Sequence, residues 1–280
     1  MGWGMELYQG LVLGVLQGLT EFLPVSSSGH LVLGQNFFGI SEPALSFDVS
    51  VHIGTLVAVL VVFFEQIKAI FVSLGRLIRS AGSMDKIKQA VQEDGDVRFA
   101  ALIIVGSIPT AIIGLILRNY VDLLFSSLVI VGSMLLVTGT FLWFTRLTPS
   151  GGKKVKEIRF RTAFFIGTCQ GIAVIPGISR SGATIAAGLF SGVERETAAR
   201  YSFLLSMPAI VGAELLMLKD SFATGIGFNF ITLFSTLVAF IVGTLALVVL
   251  MRIVKKGRLH LFAPYCWALG AITIILGLVA

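Results

Sequence analysis

The chain is divided by where Asp, Glu, Lys and Arg fall. Residues 49–64, 99–117, 123–145, 221–251 and 259–280 contain none of them. About 20 apolar residues at ~1.5 Å of rise cross a hydrocarbon core of ~30 Å. These runs therefore predict spanning helices, the fourth trimmed to 229–251. Residues 201–218 predict a sixth span, interrupted by Pro208 and Glu214. Beyond Glu65, the residues Ile67, Ile70, Phe71, Leu74, Leu77 and Ile78 recur at helical spacing, with Lys68, Arg76 and Arg79 between them. That pattern predicts an amphipathic helix on the cytoplasmic membrane surface or a plain extension of the preceding span.

Two further segments, 5–40 and 162–198, are apolar but broken in the middle. The first holds Glu21, Pro24, three serines, Gly29 and His30. The second holds Pro176, Gly177, Ser179, Arg180, Ser181 and Gly182. Irregular backbone at membrane depth is tolerated only where it is buried in protein or lines a cavity. Each segment therefore predicts a re-entrant hairpin, two half-helices meeting at a polar tip. The fold class expected is an all-α polytopic membrane protein with six transmembrane helices and two re-entrant helical hairpins.

Composition agrees. Of 280 residues 56% are hydrophobic and 13% charged, against about 25% charged in an average soluble domain. Disordered chains, solvated repeats and soluble globular domains are excluded. The net charge of +6 would raise nucleic acid as a partner in a soluble protein, but its distribution points elsewhere. Sixteen of the 21 basic residues fall in 65–98, 146–161 and 252–258, and none precedes Lys68. Basic residues beside spans stay cytoplasmic, so these three stretches are placed inside and nucleic acid is not expected. Both termini then lie outside. The N-terminus has no basic n-region or cleavage site, so its first apolar run is read as part of the mature protein. Cys169 and Cys266 have no metal spacing and receive no role.

An internal repeat supports the same topology. An offset of 153 lays Gln17-Gly18 on Gln170-Gly171, Ser26 on Ser179, and Ser28-Gly29 on Ser181-Gly182. Each half, 1–145 and 162–280, reads as one hairpin followed by three spans, joined by a simple cytoplasmic connector over 146–161. Three is odd, so the second copy is inverted. Inverted repeats with broken helices set their site near the midplane, at the repeat interface.

The tips carry the candidate chemistry. Pro24 ends one half-helix, and Ser26 or Ser27 is placed to cap the next; Ser179 or Ser181 caps at the second tip. Helix N-termini attract anions, and Arg180 adds a planar donor fork, so the combined pocket suits a phosphate or diphosphate. Ser26, Ser27 and Ser28 offer hydroxyls, His30 a base, and Glu21 a carboxylate that orients His30 or holds a cation. Each alone has a plainer explanation: serines pack in helices, and Arg180 has Glu194 and Glu196 nearby. Their concentration at two matching tips favours a site. Asp48 and His52, at one end of a span, read as structural.

The strings QGLTEFLPVSSSGHL, from Gln17 to Leu31, and PGISRSGAT, from Pro176 to Thr184, closely resemble the bacterial undecaprenyl-diphosphatase family, membrane phosphatases linked to bacitracin resistance. The resemblance runs along essentially the whole chain. It implies removal of the terminal phosphate of undecaprenyl diphosphate, recycling the lipid carrier for cell-wall synthesis, in the bacterial plasma membrane with the pocket toward the outer face. By position it implies catalytic roles for Ser27, His30, Glu21 and Arg180, and substrate binding by Gln17, Ser26, Ser28, Ser179, Ser181 and Thr184. It also implies a divalent cation, magnesium or calcium, with Glu21 as its ligand. Some members carry Glu at position 17, where this chain has Gln, so Glu21 carries that duty largely alone. The partners are the polyprenyl diphosphate and membrane lipids, and a homodimer stays open. Ser27 and His30 both remain candidates for the nucleophile. The rival class is an inverted-repeat transporter or flippase of a polyprenyl phosphate, which needs the anion site but no Ser–His–Glu cluster.

Overall fold

In a bilayer every backbone N–H and C=O must be satisfied within the protein, and this chain does so with helices. The computed structural model describes residues 5–40, 45–80, 83–222 and 230–279. Among them there is no strand, only a single bridge between Lys153 and Val193. The helices are α1 (Leu7–Phe22), α2 (Ser27–Phe37), α3 (Leu45–Val62), α4 (Phe64–Ser80), α5 (Met84–Glu93), α6 (Gly95–Arg118), α7 (Val121–Ser126) and α8 (Leu128–Phe144). After the connector come α9 (Phe160–Ile172), α10 (Arg180–Phe190), α11 (Arg195–Phe222), α12 (Phe230–Lys255) and α13 (Ala263–Val279).

Four helical stretches among the described residues are long and apolar enough to cross a membrane: Gly95–Arg118, Leu128–Leu147, Phe230–Lys255 and Leu259–Val279. A fifth is counted if Phe47–Val62 and Phe64–Arg79, bent by 74° at Phe63, form one broken span. The bend turns α4 away from α3, as the surface-helix alternative requires. Phe64, Phe71, Val72 and Ile78 are exposed along it. The predicted run over 123–145 is corrected: the chain breaks at Ser127, whose hydroxyl accepts from the Ile130 N–H at 3.3 Å and starts α8. Apolar side chains on both sides concealed that cap. The predicted hairpin over 162–198 is also shorter, because α10 stops at Phe190 and Arg195 already opens α11. The start of the predicted span at residue 229 and the two chain ends, 1 and 280, lie outside the described residues.

Asp94 caps α6, accepting from the Asp96 and Val97 N–H groups at 2.9 and 3.2 Å. Burial pushes its carboxyl up, but these bonds, a bond to Ser73 and the Arg76 charge outweigh it and hold the group below the usual carboxylate range.

Packing interleaves the two halves of the chain. α1 lies against α12, α9 against α6, and α8 against α13. The α6–α9 crossing needs glycine: a Cβ on Gly167 would sit 1.9 Å from the Gly106 carbonyl oxygen. Small residues let helix backbones approach this closely in lipid. Behind the crossing Tyr201 is fully buried and donates to the Leu102 carbonyl at 2.7 Å. Ile104, Ile108, Ile112 and Leu115, one helical stripe, face outward from α6.

The connector over 146–161 is more than a tether. The Lys153 N–H donates to the Gly192 carbonyl at 2.8 Å, and the Glu194 N–H donates to the Lys153 carbonyl at 3.0 Å. Arg98 donates to the Ile158 carbonyl at 2.7 Å and the Val155 carbonyl at 3.3 Å. Ile158 is buried. The stretch is pinned to both halves.

Candidate active site

The two breaks in the helices are built alike. Pro24 cannot donate to a helix, and the chain leaves α1 at Leu23. Ser26 caps α2, its hydroxyl accepting from the Gly29 N–H at 3.3 Å and standing 3.3 Å from the Ser28 hydroxyl. Ser179 caps α10, accepting from the Gly182 N–H at 3.1 Å and standing 3.2 Å from the Ser181 hydroxyl. The breaks meet. The Gly177 N–H donates to the Ser26 hydroxyl at 3.1 Å, and the Arg180 guanidinium donates to Glu21 Oε1.

Thr138 on α8 supports the second tip. Its hydroxyl donates to the Gly177 carbonyl at 2.8 Å and accepts from the Ser179 N–H at 3.1 Å. Gly177 has φ +92°, and a Cβ there would lie 2.2 Å from the Val131 carbonyl oxygen, so only glycine fits.

Glu21 is the hub. It is 6% exposed, and an ionised group so placed needs partners. Oε2 accepts from Ser27 Oγ at 2.7 Å and from Gln17 Nε2 at 3.0 Å, while Oε1 takes Arg180. His52 Nε2 lies 3.8 Å away. Arg180 thus chooses Glu21 over both nearby acids. Glu194 accepts from Thr197, and Glu196 pairs with Arg200 and Lys255. No other bond of the Arg180 guanidinium occurs among the described residues, so its fork keeps donors for a phosphate.

His30 stands apart from the Ser27–Glu21 pair, and both its ring nitrogens face other groups. Nδ1 faces the Ser26 carbonyl at 2.8 Å, and Nε2 faces the Tyr265 hydroxyl at 2.6 Å. The Ser27 hydroxyl instead donates its hydrogen bond to Glu21. Thr184 is fully buried, with its hydroxyl against Ser202 and the Arg180 carbonyl. Ser181 is buried, as Ser26 and Ser179 are, with its hydroxyl 3.2 Å from that of Ser179.

Four residues beside the tips were not singled out for a role from the sequence. Tyr265 and Thr138 sit in apolar helices where one hydroxyl is unremarkable. Cys266, given no role, donates its thiol to the Pro24 carbonyl at 3.6 Å. His52, read as structural, stands beside Glu21, its Nδ1 on the Asp48 carbonyl at 2.7 Å.

Among the described residues no group of three His, Cys, Asp or Glu is arranged to hold a metal ion. Gln17 Oε1 is buried with no hydrogen-bond partner among them. With the two Glu21 oxygens it makes three, few for a resident cation. They suit one that arrives on a diphosphate, since magnesium is commonly bound by one or two carboxylates plus substrate phosphates.

The family described as Bacitracin resistance protein BacA matches residues 10–272. An undecaprenyl-diphosphatase of Desulforapulum autotrophicum is 78% identical over 99% of this chain and 100% of its own length. Another from Desulfosudis oleivorans is 56% identical over 98% of this chain and all of its own length. One from Methanosphaera stadtmanae is 43% identical over 98% of this chain and 99% of its own length.

Proposed function

The chain belongs to the Bacitracin resistance protein BacA family, and on that premise we propose that it hydrolyses undecaprenyl diphosphate to undecaprenyl phosphate and orthophosphate. The observation that carries the reading is a serine hydroxyl 2.7 Å from a buried carboxylate that also holds Arg180. A transporter or flippase needs an anion site but no such pair, and the relatives are named for hydrolysis.

The reaction follows from these groups. The diphosphate lies across the N-termini of α2 and α10, with free N–H groups of Arg180 on its oxygens. Ser27 Oγ attacks the terminal phosphorus while Glu21 takes its proton, and the bridging P–O bond breaks to release undecaprenyl phosphate. Water then attacks the phosphoserine. The serine oxygen recovers the proton from Glu21, both water protons leave with orthophosphate, and the carboxylate is restored. Ser26, Ser28 and Ser179 shape the tips around the phosphates, and Ser181 and Thr184 hold α10 from behind. A magnesium or calcium ion would be held by Glu21 and Gln17 Oε1. When bound, it neutralises charge on the diphosphate oxygens.

The architecture that suits this chemistry has six spans and two re-entrant hairpins, the first within 5–40 and the second ending with α10 at Phe190, in inverted repeats 1–145 and 162–280. α11 supplies the sixth span. The support is the recurrence of helix bounds: α2 and α10 run 27–37 and 180–190, separated by the same 153 positions as the serine motifs. The basic stretches then face the cytoplasm, and the pocket and both termini the outer side of the plasma membrane.

The test is phosphate release from a C55 isoprenyl diphosphate by the full chain in detergent. Wild-type turnover, abolished in Ser27→Ala and Arg180→Ala, is the expected result. No release by the wild type overturns the function, and full turnover by both variants overturns the site.

A further inference from the structure

Ser26 is the one non-glycine residue with positive φ among the described residues, at φ 70° and ψ 95°. This turn sets the direction in which the next residue, Ser27, leaves the backbone. A left-handed serine persists only where its surroundings hold it. Its hydroxyl accepts from the Gly29 and Gly177 N–H groups and stands 3.3 Å from the Ser28 hydroxyl. His30 holds its carbonyl, through the backbone N–H at 3.2 Å and the ring Nδ1 at 2.8 Å.

A carbonyl can only accept, so the proton of the neutral ring is on Nδ1. Nε2 then carries the lone pair, and the Tyr265 hydroxyl donates to it at 2.6 Å. The two rings lie nearly parallel, 8° apart, with centroids at 5.7 Å. The neighbouring Cys266 thiol reaches the Pro24 carbonyl of the same turn. α13 therefore grips the first tip at two consecutive residues, with the His30 ring as the strut between Tyr265 and Ser26.

We propose that His30 is a positioning residue and Tyr265 the residue that fixes it: the clamped ring holds the left-handed turn at Ser26 so that Ser27 meets Glu21. This rests on the hydrolase reading, with Ser27 and Glu21 as the reacting pair. No proton of the reaction passes through the imidazole.

The experiment compares His30→Ala, His30→Asn and Tyr265→Phe in the full chain, by steady-state phosphate release from the C55 diphosphate and by thermal melting. Asn carries an N–H that can reach where Nδ1 does, but no titrating group. His30→Ala is expected to lose about 10²-fold in kcat, as a misplacement of about 1 Å does, with little change in KM. His30→Asn should regain at least about tenfold of that loss and keep the wild-type shape of the pH–rate profile. Tyr265→Phe should lose several-fold, and that loss should disappear in the His30→Asn background, because Tyr265 acts only through the ring.

A folded His30→Asn variant as inactive as His30→Ala, or lacking one limb of the pH profile, overturns the proposal. So does a Tyr265→Phe loss of the same size in both backgrounds. Nitrogen-15 spectra of the histidines give a readout independent of turnover. An Nδ1–H ring at His30 is expected, and an Nε2–H ring overturns the clamp. Failure of the hydrolase reading is distinguishable, since it appears as wild-type protein that releases no phosphate.

Discussion

At the first tip the chain turns left-handed on a serine; at the second, the left-handed residue is Gly177. Both tips end in a serine-capped helix, with caps at 3.3 and 3.1 Å, yet they have been put to different use. Glycine adopts positive φ without penalty, whereas an L-residue there costs about 1–3 kcal/mol. The tip that bears Ser27 carries the strained residue, and the tip that bears Arg180 takes the relaxed one. Strain at Ser26 is offset by bonds from Gly29, Gly177 and His30, so the reacting tip is held by its partners. Shared backbone plan does not mean shared chemistry.

The contrast can be broken by changes on each side. Glu21→Gln should lower phosphate release by about 10²–10⁴-fold, because the Ser27 proton loses its acceptor. A loss of that size from Ser179→Ala would erase the distinction between the tips. Arg180→Lys keeps the charge but not the fork. It should lower kcat/KM by roughly 10- to 100-fold, mainly through KM, consistent with losing about 1.5–3 kcal/mol of charge-assisted bonding. Gly177→Ala forces a Cβ toward the Val131 carbonyl and should lower stability by at least roughly 1–3 kcal/mol, read by thermal melting in detergent.

Ser26→Gly is the converse. Its melting should change by no more than about 1 kcal/mol, since glycine is a tolerable cap and relieves the turn, while turnover falls because the Gly177 bond is lost. Last, Gln17→Glu sets two carboxylates side by side. Its melting temperature should fall relative to wild type in chelator and recover with magnesium, because adjacent like charges need a cation or a proton.

Much of this was visible in the sequence where one residue type has one physical meaning. Proline followed by serine located both caps, and charge-free runs located α6, α12 and α13. The break at Ser127 was hidden because apolar residues flank it and charge is the only boundary a hydropathy pattern records. The partner of Arg180 was hidden for a different reason. Glu194 and Glu196 are 14 and 16 positions away in sequence, Glu21 is 159, and only the meeting of two breaks decides among them. Tyr265 shares this difficulty, being 235 positions from His30 in an otherwise apolar helix. Ser27 and Glu21 were identified, but their direct bond was not, because the backbone at Ser26 sets where Ser27 points.

The Arg180–Glu21 pair has a consequence for biosynthesis. Glu21 enters the bilayer early, and its counter-ion is translated 159 residues later. On insertion scales an acidic residue at a helix centre costs about 2.5–3.5 kcal/mol, so the nascent first half holds Glu21 with Ser27, Gln17 and His52 but without its arginine until residue 180 is made. A chain that terminates before residue 180 lacks that counter-ion. The first tip therefore reaches its full set of partners only once the second half of the chain has been made.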